Sequence, residues 1–264
     1  MNIRIVENTN KETARRLSDA VAELVRVSEN DIVDNASDAD LIVSLGGDGT
    51  LLQTWHNCGR LSTPIFGINC GHLGYLTEGT LSDWNSKLGQ ILWDKDYSVK
   101  NRMTLKLKTE DLDEDEYFAL NEFNISRCGN GLFEYGLFVI DSDNPNQDKI
   151  HLLDCKADGV ICATPTGATA YALSAGGSFI DPNTRVIEVV PVCPHSLLNR
   201  SIVFSENSKI VLVANSRGVL YADGNRLGWV NEGDEFVISQ SDNDMKLAVV
   251  DEESFMSRIS KNFV

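Results

Sequence analysis

Ser44-Leu45-Gly46-Gly47-Asp48-Gly49-Thr50-Leu51-Leu52 is the stretch on which the reading of this chain turns. Leu41 to Leu45 is a continuous apolar run, as expected of a strand covered on both faces. A helix is expected from about Thr50 to Asn57. A buried strand that passes through Gly46, Gly47 and Gly49 into a helix brings bare N–H groups and a positive dipole end against an anion. A carboxylate is costly in such a place. Asp48 therefore reads as a working residue that orients a hydroxyl nucleophile or holds a metal. A glycine-rich turn with Asp48 as a plain helix cap is the bland alternative. The P-loop requires Gly-Lys-Ser or Gly-Lys-Thr, and neither occurs; the third glycine of the dinucleotide fingerprint would fall where Leu52 stands.

Outward from this loop, strands alternate with helices. Ile3 to Val6 reads as a strand. Thr9 and Glu12 form a capping-box signature ahead of Ala14, Leu17, Val21, Leu24 and Val25 at helical spacing. Pro64 to Asn69 reads as a third strand, and Thr80 as the cap of a helix carrying Trp84, Leu88, Ile91 and Leu92. This alternation predicts a Rossmann-like parallel sheet over residues 1–97. After Tyr97 short alternating segments such as Thr104 to Lys108 take over, separated by polar turns. The acidic run Glu110 to Glu116 reads as a solvated hairpin loop. Residues 98–250 are expected to be a β-rich domain with one helix near Ala168 to Ala175. Residues 251–264 are expected to pack back on the first domain.

The 264 residues carry a formal net charge of −16. Such a surface repels nucleic acid and anionic lipid, so an anion site must be a local feature. No apolar run approaches the ~20 residues of a membrane helix, and the cytoplasm is the expected location. The six cysteines lack CxxC spacing, which signals neither zinc nor a redox pair.

Two further segments carry chemistry. In Asp158 to Gly177 a strand leads into Thr164-Pro165-Thr166-Gly167 and a short helix. Thr166 and Thr169 place hydroxyls at its start, Tyr171 offers a flat face, and Ser174 lies about a turn further on. Asn121-Glu122 sets an amide beside a carboxylate at a strand end, a pair able to read a ribose diol.

Together these blocks resemble the NAD kinase family. Gly46 to Thr50, Asn69 to Leu76, Asn121-Glu122, Asp158 to Gly177, Val190 to Leu197 and Asp223-Gly224 fall in the family's order, across about residues 3 to 250. The resemblance implies transfer of the γ-phosphoryl of ATP to the 2′-hydroxyl of the adenosine ribose of NAD, giving NADP and ADP. It implies a divalent metal, magnesium or manganese, and an active site in the cleft between an α/β and a β-rich domain. It also implies a homodimer or homotetramer. Asp48 matches the proton acceptor, and Gly46, Gly47, Gly49 and Thr50 the phosphate loop. NAD-holding positions match Asp48, Gly49, Asn121, Glu122, Asp158, Thr166, Thr169, Ala170, Tyr171 and Ser174. Lys156 matches a basic position near that ligand. His72 and Tyr75 match a bordering segment. The chain departs from the pattern at Ser178 (often proline), at Arg200-Ser201 (often Arg-Pro), and at Asn225, where the family commonly has glutamine and Asn has the shorter reach.

Two other functions use parts of the same pattern. A lipid or sugar kinase shares the Gly-Gly-Asp-Gly-Thr loop, but a lipid enzyme wants an apolar or basic face that this composition opposes. A non-catalytic NAD-binding sensor would have no need of Asp48.

Overall fold

The computed structural model describes residues 1–58, 60, 62–71, 74–112, 116–140, 148–195, 200–251 and 257. The chain divides into two compact units, Met1–Arg102 with Asp244–Val264, and Met103–Asn243.

In the first unit, strands β1 (Asn2–Glu7), β2 (Asp31–Ile32), β3 (Leu41–Gly46), β4 (Ile65–Asn69), β5 (Gly79–Thr80) and β6 (Ser98–Arg102) alternate with helices. The helices are α1 (Glu12–Val27), α2 (Asp48–Asn57) and α3 (Trp84–Gly89). β2-β1-β3-β4 pair in parallel, and β5 also pairs with β4. Every residue of β3 and β4 is buried, in keeping with their largely apolar sequences. α1 buries the expected stripe Ala14, Leu17, Val21, Leu24 and Val25. Its start differs from expectation. Lys11 holds the cap position with no side-chain bond, while Asn8 closes the preceding turn, its Oδ1 accepting from Asn10 N–H at 3.1 Å. The capping bond expected of the Thr9 hydroxyl is not made. Thr80 likewise lies in β5 and donates, through both N–H and hydroxyl, to Asp83, which stands at the α3 cap.

The expected domain boundaries at 97/98 and 250/251 are displaced. The strand Met245–Val249 joins the first sheet, parallel to β4 through Leu247 and Ile65 and antiparallel to β6. Its alternation marks it as a strand, but the identity of its neighbours is set by partners some 150 residues distant. Of the tail, Asp251 bonds the Glu78 carboxylate through its N–H at 3.1 Å and Lys87 through its side chain at 3.0 Å. Residues 252–256 and 258–264 lie outside the described residues.

The second unit holds strands β7 (Leu105–Lys108), β8 (Glu116–Ala119), β9 (Glu122–Arg127), β10 (Phe133–Ile140), β11 (Lys149–Ala157) and β12 (Gly159–Ala163). After helix α4 (Tyr171–Ser174) come β13 (Val186–Val192), β14 (Ile202–Ser205), β15 (Lys209–Ala214), β16 (Gly218–Ala222), β17 (Asn225–Val230) and β18 (Glu235–Gln240). They form two antiparallel sheets, β11-β10-β15-β18-β7-β8 and β14-β13-β12-β9-β16-β17. One core joins them, from residues such as Phe123, Phe133, Tyr135, Cys162, Leu212 and Phe236. Because side chains alternate along a strand, the same β9 and β12 that bury Phe123, Ile125, Val160 and Cys162 inward present Glu122, Asn124, Ile161 and Ala163 on the other face. There Ile161, Ala163 and Val190 pack with Ala172 of α4.

Candidate active site

Gly46 ends β3 opposite Asn69 of β4, and the backbone turns through Gly47 into α2. Asp48 opens that helix. Its carboxylate accepts three successive backbone N–H groups, from Tyr75 to Oδ2 at 2.6 Å and from Leu76 and Thr77 to Oδ1 at 3.1 and 3.2 Å. The Thr77 hydroxyl reaches Oδ1 at 3.4 Å and itself accepts from Asn69 Nδ2 at 3.1 Å. Charge-assisted bonds of this kind are the strong ones. Asp48 is thus more than a cap on its own helix, because it clamps the segment that follows Gly74. Gly74 is required by close approach, since a Cβ there would overlap the Asp48 carboxylate. Thr50 Oγ1 receives Asn8 Nδ2 at 3.1 Å and Gly47 N–H at 3.4 Å. A Cβ on Gly47 or Gly49 would meet nothing within 4 Å, so the loop faces open space of the kind a phosphate group requires.

In the second unit, Asn121 and Glu122 sit where β9 begins. Asp223, in the β16–β17 turn with φ +49, repeats the Asp48 arrangement. Its carboxylate accepts N–H from Leu120, Asn121 and Glu122 at 2.8, 2.7 and 3.1 Å. Thr164, fully buried, donates its hydroxyl to Leu120 O at 2.6 Å and its N–H to Asn121 O at 2.9 Å, and accepts from Gly167 N–H at 3.0 Å. Gly167 lies so near Asn121 O that a Cβ would overlap it. These contacts fix the backbone of Leu120 and Asn121 against Thr164 and Gly167, at the turn that leads to Thr166, Thr169, Ala170, Tyr171 and Ser174. Thr166 is buried, with its carbonyl receiving the Thr169 hydroxyl at 3.1 Å, while Tyr171 and Ser174 are exposed. The expected single helix is a 3-10 turn Gly167–Thr169 followed by α4. Asn225 opens β17 with an exposed side chain.

Lys156 and Asp158 lie at the other end of β12. Antiparallel pairing sets Glu122 opposite Ala163 and Ser126 opposite Gly159. At ~3.3 Å per residue the five steps from Asp158 to Ala163 span about 17 Å. Asp158 pairs with Arg127 at 2.7 Å and Lys156 with Glu134 at 2.7 Å. The structure therefore does not gather all the expected NAD-holding residues of this unit at one end. Of the segment bordering the first loop, Tyr75 is half-buried, while His72 lies outside the described residues.

Sequence reasoning passed over Thr77, Thr164 and the carboxylate of Asp223 as site-building groups. Thr164 and Asp223 stand within quoted motifs and Thr77 adjoins one, and only their positions against distant backbone segments show their work. Glu122 is the most perturbed carboxyl here: burial, and secondarily the charge of Asp223, push it up to about 8. Among the described residues no group of three or more His, Cys, Asp or Glu side chains could hold a metal. Magnesium commonly binds through substrate phosphates and one or two carboxylates. All six cysteines are free, and burial pushes the Cys162 thiol up to about 12. No described helix is long and apolar enough to cross a membrane.

Residues 7–97 match the model of the ATP-NAD kinase N-terminal domain, and residues 138–250 that of the ATP-NAD kinase C-terminal domain. The chain is 37% identical over 262 residues to an NAD kinase of Clostridium botulinum, covering 91% of this chain and 88% of the relative. It is 29% identical to one from Caldicellulosiruptor saccharolyticus, covering 97% and 96%. The solved structure of an NAD kinase from Archaeoglobus fulgidus in complex with ATP superimposes with a TM-score of 0.76 at 26% identity, covering 94% of this chain and 93% of that one. A yeast NADH kinase complexed with NADH shares the fold, with a TM-score of 0.84 at 24% identity over 99% of this chain and 86% of that one.

Proposed function

This chain belongs to the NAD kinase family, and from that premise we propose how its residues transfer the γ-phosphoryl of ATP to the 2′-hydroxyl of the adenosine ribose of NAD. The observation that carries the assignment is the clamped Asp48. Oδ1 is filled by Leu76 N–H, Thr77 N–H and the Thr77 hydroxyl, whereas Oδ2 takes Tyr75 N–H alone. A carboxylate oxygen accepts about two hydrogen bonds, so Oδ2 keeps room for one more donor. We assign that room to the ribose hydroxyl. Held from three sides, Asp48 orients the nucleophile in line and accepts its proton late, which suits a loose transition state governed by position and charge. Gly46, Gly47, Gly49 and Thr50 line the phosphates, with the α2 N-terminus favouring their charge. A divalent cation, magnesium or manganese, arrives with the nucleotide and offsets the acidic surroundings. Asn121 and Glu122 read a ribose, and Thr166, Thr169, Ala170, Tyr171 and Ser174 surround the rest of the NAD.

The separation along β12 bears on assembly. We assign Lys156 and Asp158 to the NAD of a neighbouring copy, in line with the homodimer or homotetramer expected from the family. The enzyme works in the cytoplasm on this reading. The direct test is NADP formation from NAD with ATP, with and without magnesium, against Asp48→Asn. Mixing inactive Asp48→Asn with inactive Asp158→Ala tests the shared site. Recovered activity supports it, and none at any ratio removes it.

A further inference from the structure

Among the described residues, three buried acceptors on one face of the second sheet lack hydrogen-bond partners: Glu122 Oε2, Asn124 Oδ1 and Glu188 Oε2. Glu122 and Glu188 occupy one row, on either side of Ala163. Glu188 has Oε1 occupied by Ser178 N–H at 2.8 Å and is fully enclosed. Glu122 differs, because it retains 7% exposure at the strand end where the ribose-reading pair stands. An ionised carboxylate at such depth needs a cation or several donors, and its absence is expensive. Among the described residues, none donates a hydrogen bond to Glu122 Oε2. β12 contributes Ala163, Gly167 lies against the Asn121 backbone, the β16–β17 turn contributes Asp223, and β13 contributes Glu188 beyond Ala163. The charged members of this set are both acids. The fixed carboxylate is Asp223, whose three N–H bonds also set the backbone that carries Glu122.

We propose that Glu122 meets the bound nucleotide as a neutral carboxylic acid, donating its O–H to a ribose hydroxyl oxygen while its carbonyl accepts from the neighbouring hydroxyl, and that Asp223 keeps it in that form. This rests on the NAD-site reading given above. A ribose hydroxyl both donates and accepts, so an acid matches the diol with one donor and one acceptor, where a carboxylate would supply acceptors alone. The upward displacement of the Glu122 carboxyl to about 8 agrees with the geometry. Asp223 acts through Glu122 and is a positioning residue.

The test compares wild type, Glu122→Gln, Glu122→Ala and Asp223→Asn for NAD binding by calorimetry and for KM and kcat between pH 6 and 9.5. Gln reproduces the neutral acid, with one donor group and one acceptor. The wild-type KM for NAD should be level to about pH 8 and then rise by about tenfold per pH unit as the acid is lost. Glu122→Gln should abolish the rise, leaving KM level from pH 6 to 9.5 and below that of Glu122→Ala at pH 7. Asp223→Asn should start the rise at lower pH, as the neighbouring charge is removed. A wild-type KM flat to pH 9.5, with Glu122→Gln as impaired as Glu122→Ala, would overturn the neutral-acid role while leaving Glu122 in the NAD site. If Glu122→Ala binds NAD like wild type, the site reading and this inference both fall.

Discussion

Asp48→Asn replaces one oxygen by an amide nitrogen and changes nothing else in shape. On sequence grounds this would be expected to leave NAD binding largely intact and remove turnover. The structure adds a second consequence. Asn can turn its oxygen toward Leu76 and Thr77 N–H, but its nitrogen then faces the Tyr75 N–H that Asp48 holds at 2.6 Å. One charge-assisted bond is lost, about 1.5–3 kcal/mol, and the others become neutral ones, each weaker by roughly 1 kcal/mol. Since the three share one carboxylate that is only half-buried, a net loss of about 2–3 kcal/mol is expected. At roughly 2–4 °C per kcal/mol for a domain of this size, the first unit should melt about 4–12 °C lower. Turnover should fall by about 10²–10⁴, the contribution of a positioned acid–base group. Calorimetric melting and an NADP-formation assay on the same preparation read both effects. A melting point within about 1 °C of wild type would show that the clamp on residues 75–77 does not hold the segment. Turnover within tenfold of wild type would refute the catalytic assignment, whatever the melting point.

Gly74→Ala leaves Asp48 chemically untouched but drives a methyl into its carboxylate; a cost of about 1–3 kcal/mol in melting and a loss of turnover that Asp48→Asn does not deepen are expected. Thr164→Val removes a buried hydroxyl bonded to Leu120 O and Gly167 N–H; denaturant unfolding should show a loss of about 1–3 kcal/mol, and KM for NAD should rise more than kcat falls. Glu122 also makes stability depend on pH. Its folded carboxyl is raised from 4.5 to about 8, so the native state keeps a proton that the unfolded chain releases. That contribution is complete below about pH 4.5 and is lost as pH climbs to about 8. Glu122→Gln should therefore gain on wild type, by on the order of 3 kcal/mol, as melts move from pH 5 to pH 8.5; a constant difference across that range would contradict the raised value.

The amino-acid order by itself determined the local events. Largely apolar runs made β3 and β4 buried strands, alternation from Tyr97 onward made antiparallel sheets, and Gly46 to Thr50 made the turn on which Asp48 stands. These follow from side-chain periodicity and backbone freedom, which act over a few residues. Tertiary structure alone decided what each polar group touches. That Asp48 holds residues 75–77, that Asp223 holds residues 120–122, and that Met245–Val249 enters the first sheet depend on segments far apart in sequence, whose pairing no local pattern encodes. The same holds for Lys156 and Asp158, which lie within a dozen residues of Thr166 in the chain yet stand at the opposite end of β12, because an extended strand carries them about 17 Å away. For the feature first read as a phosphate turn, the sequence supplied the carboxylate, and the fold assigned one of its oxygens to the protein and left room on the other for the substrate.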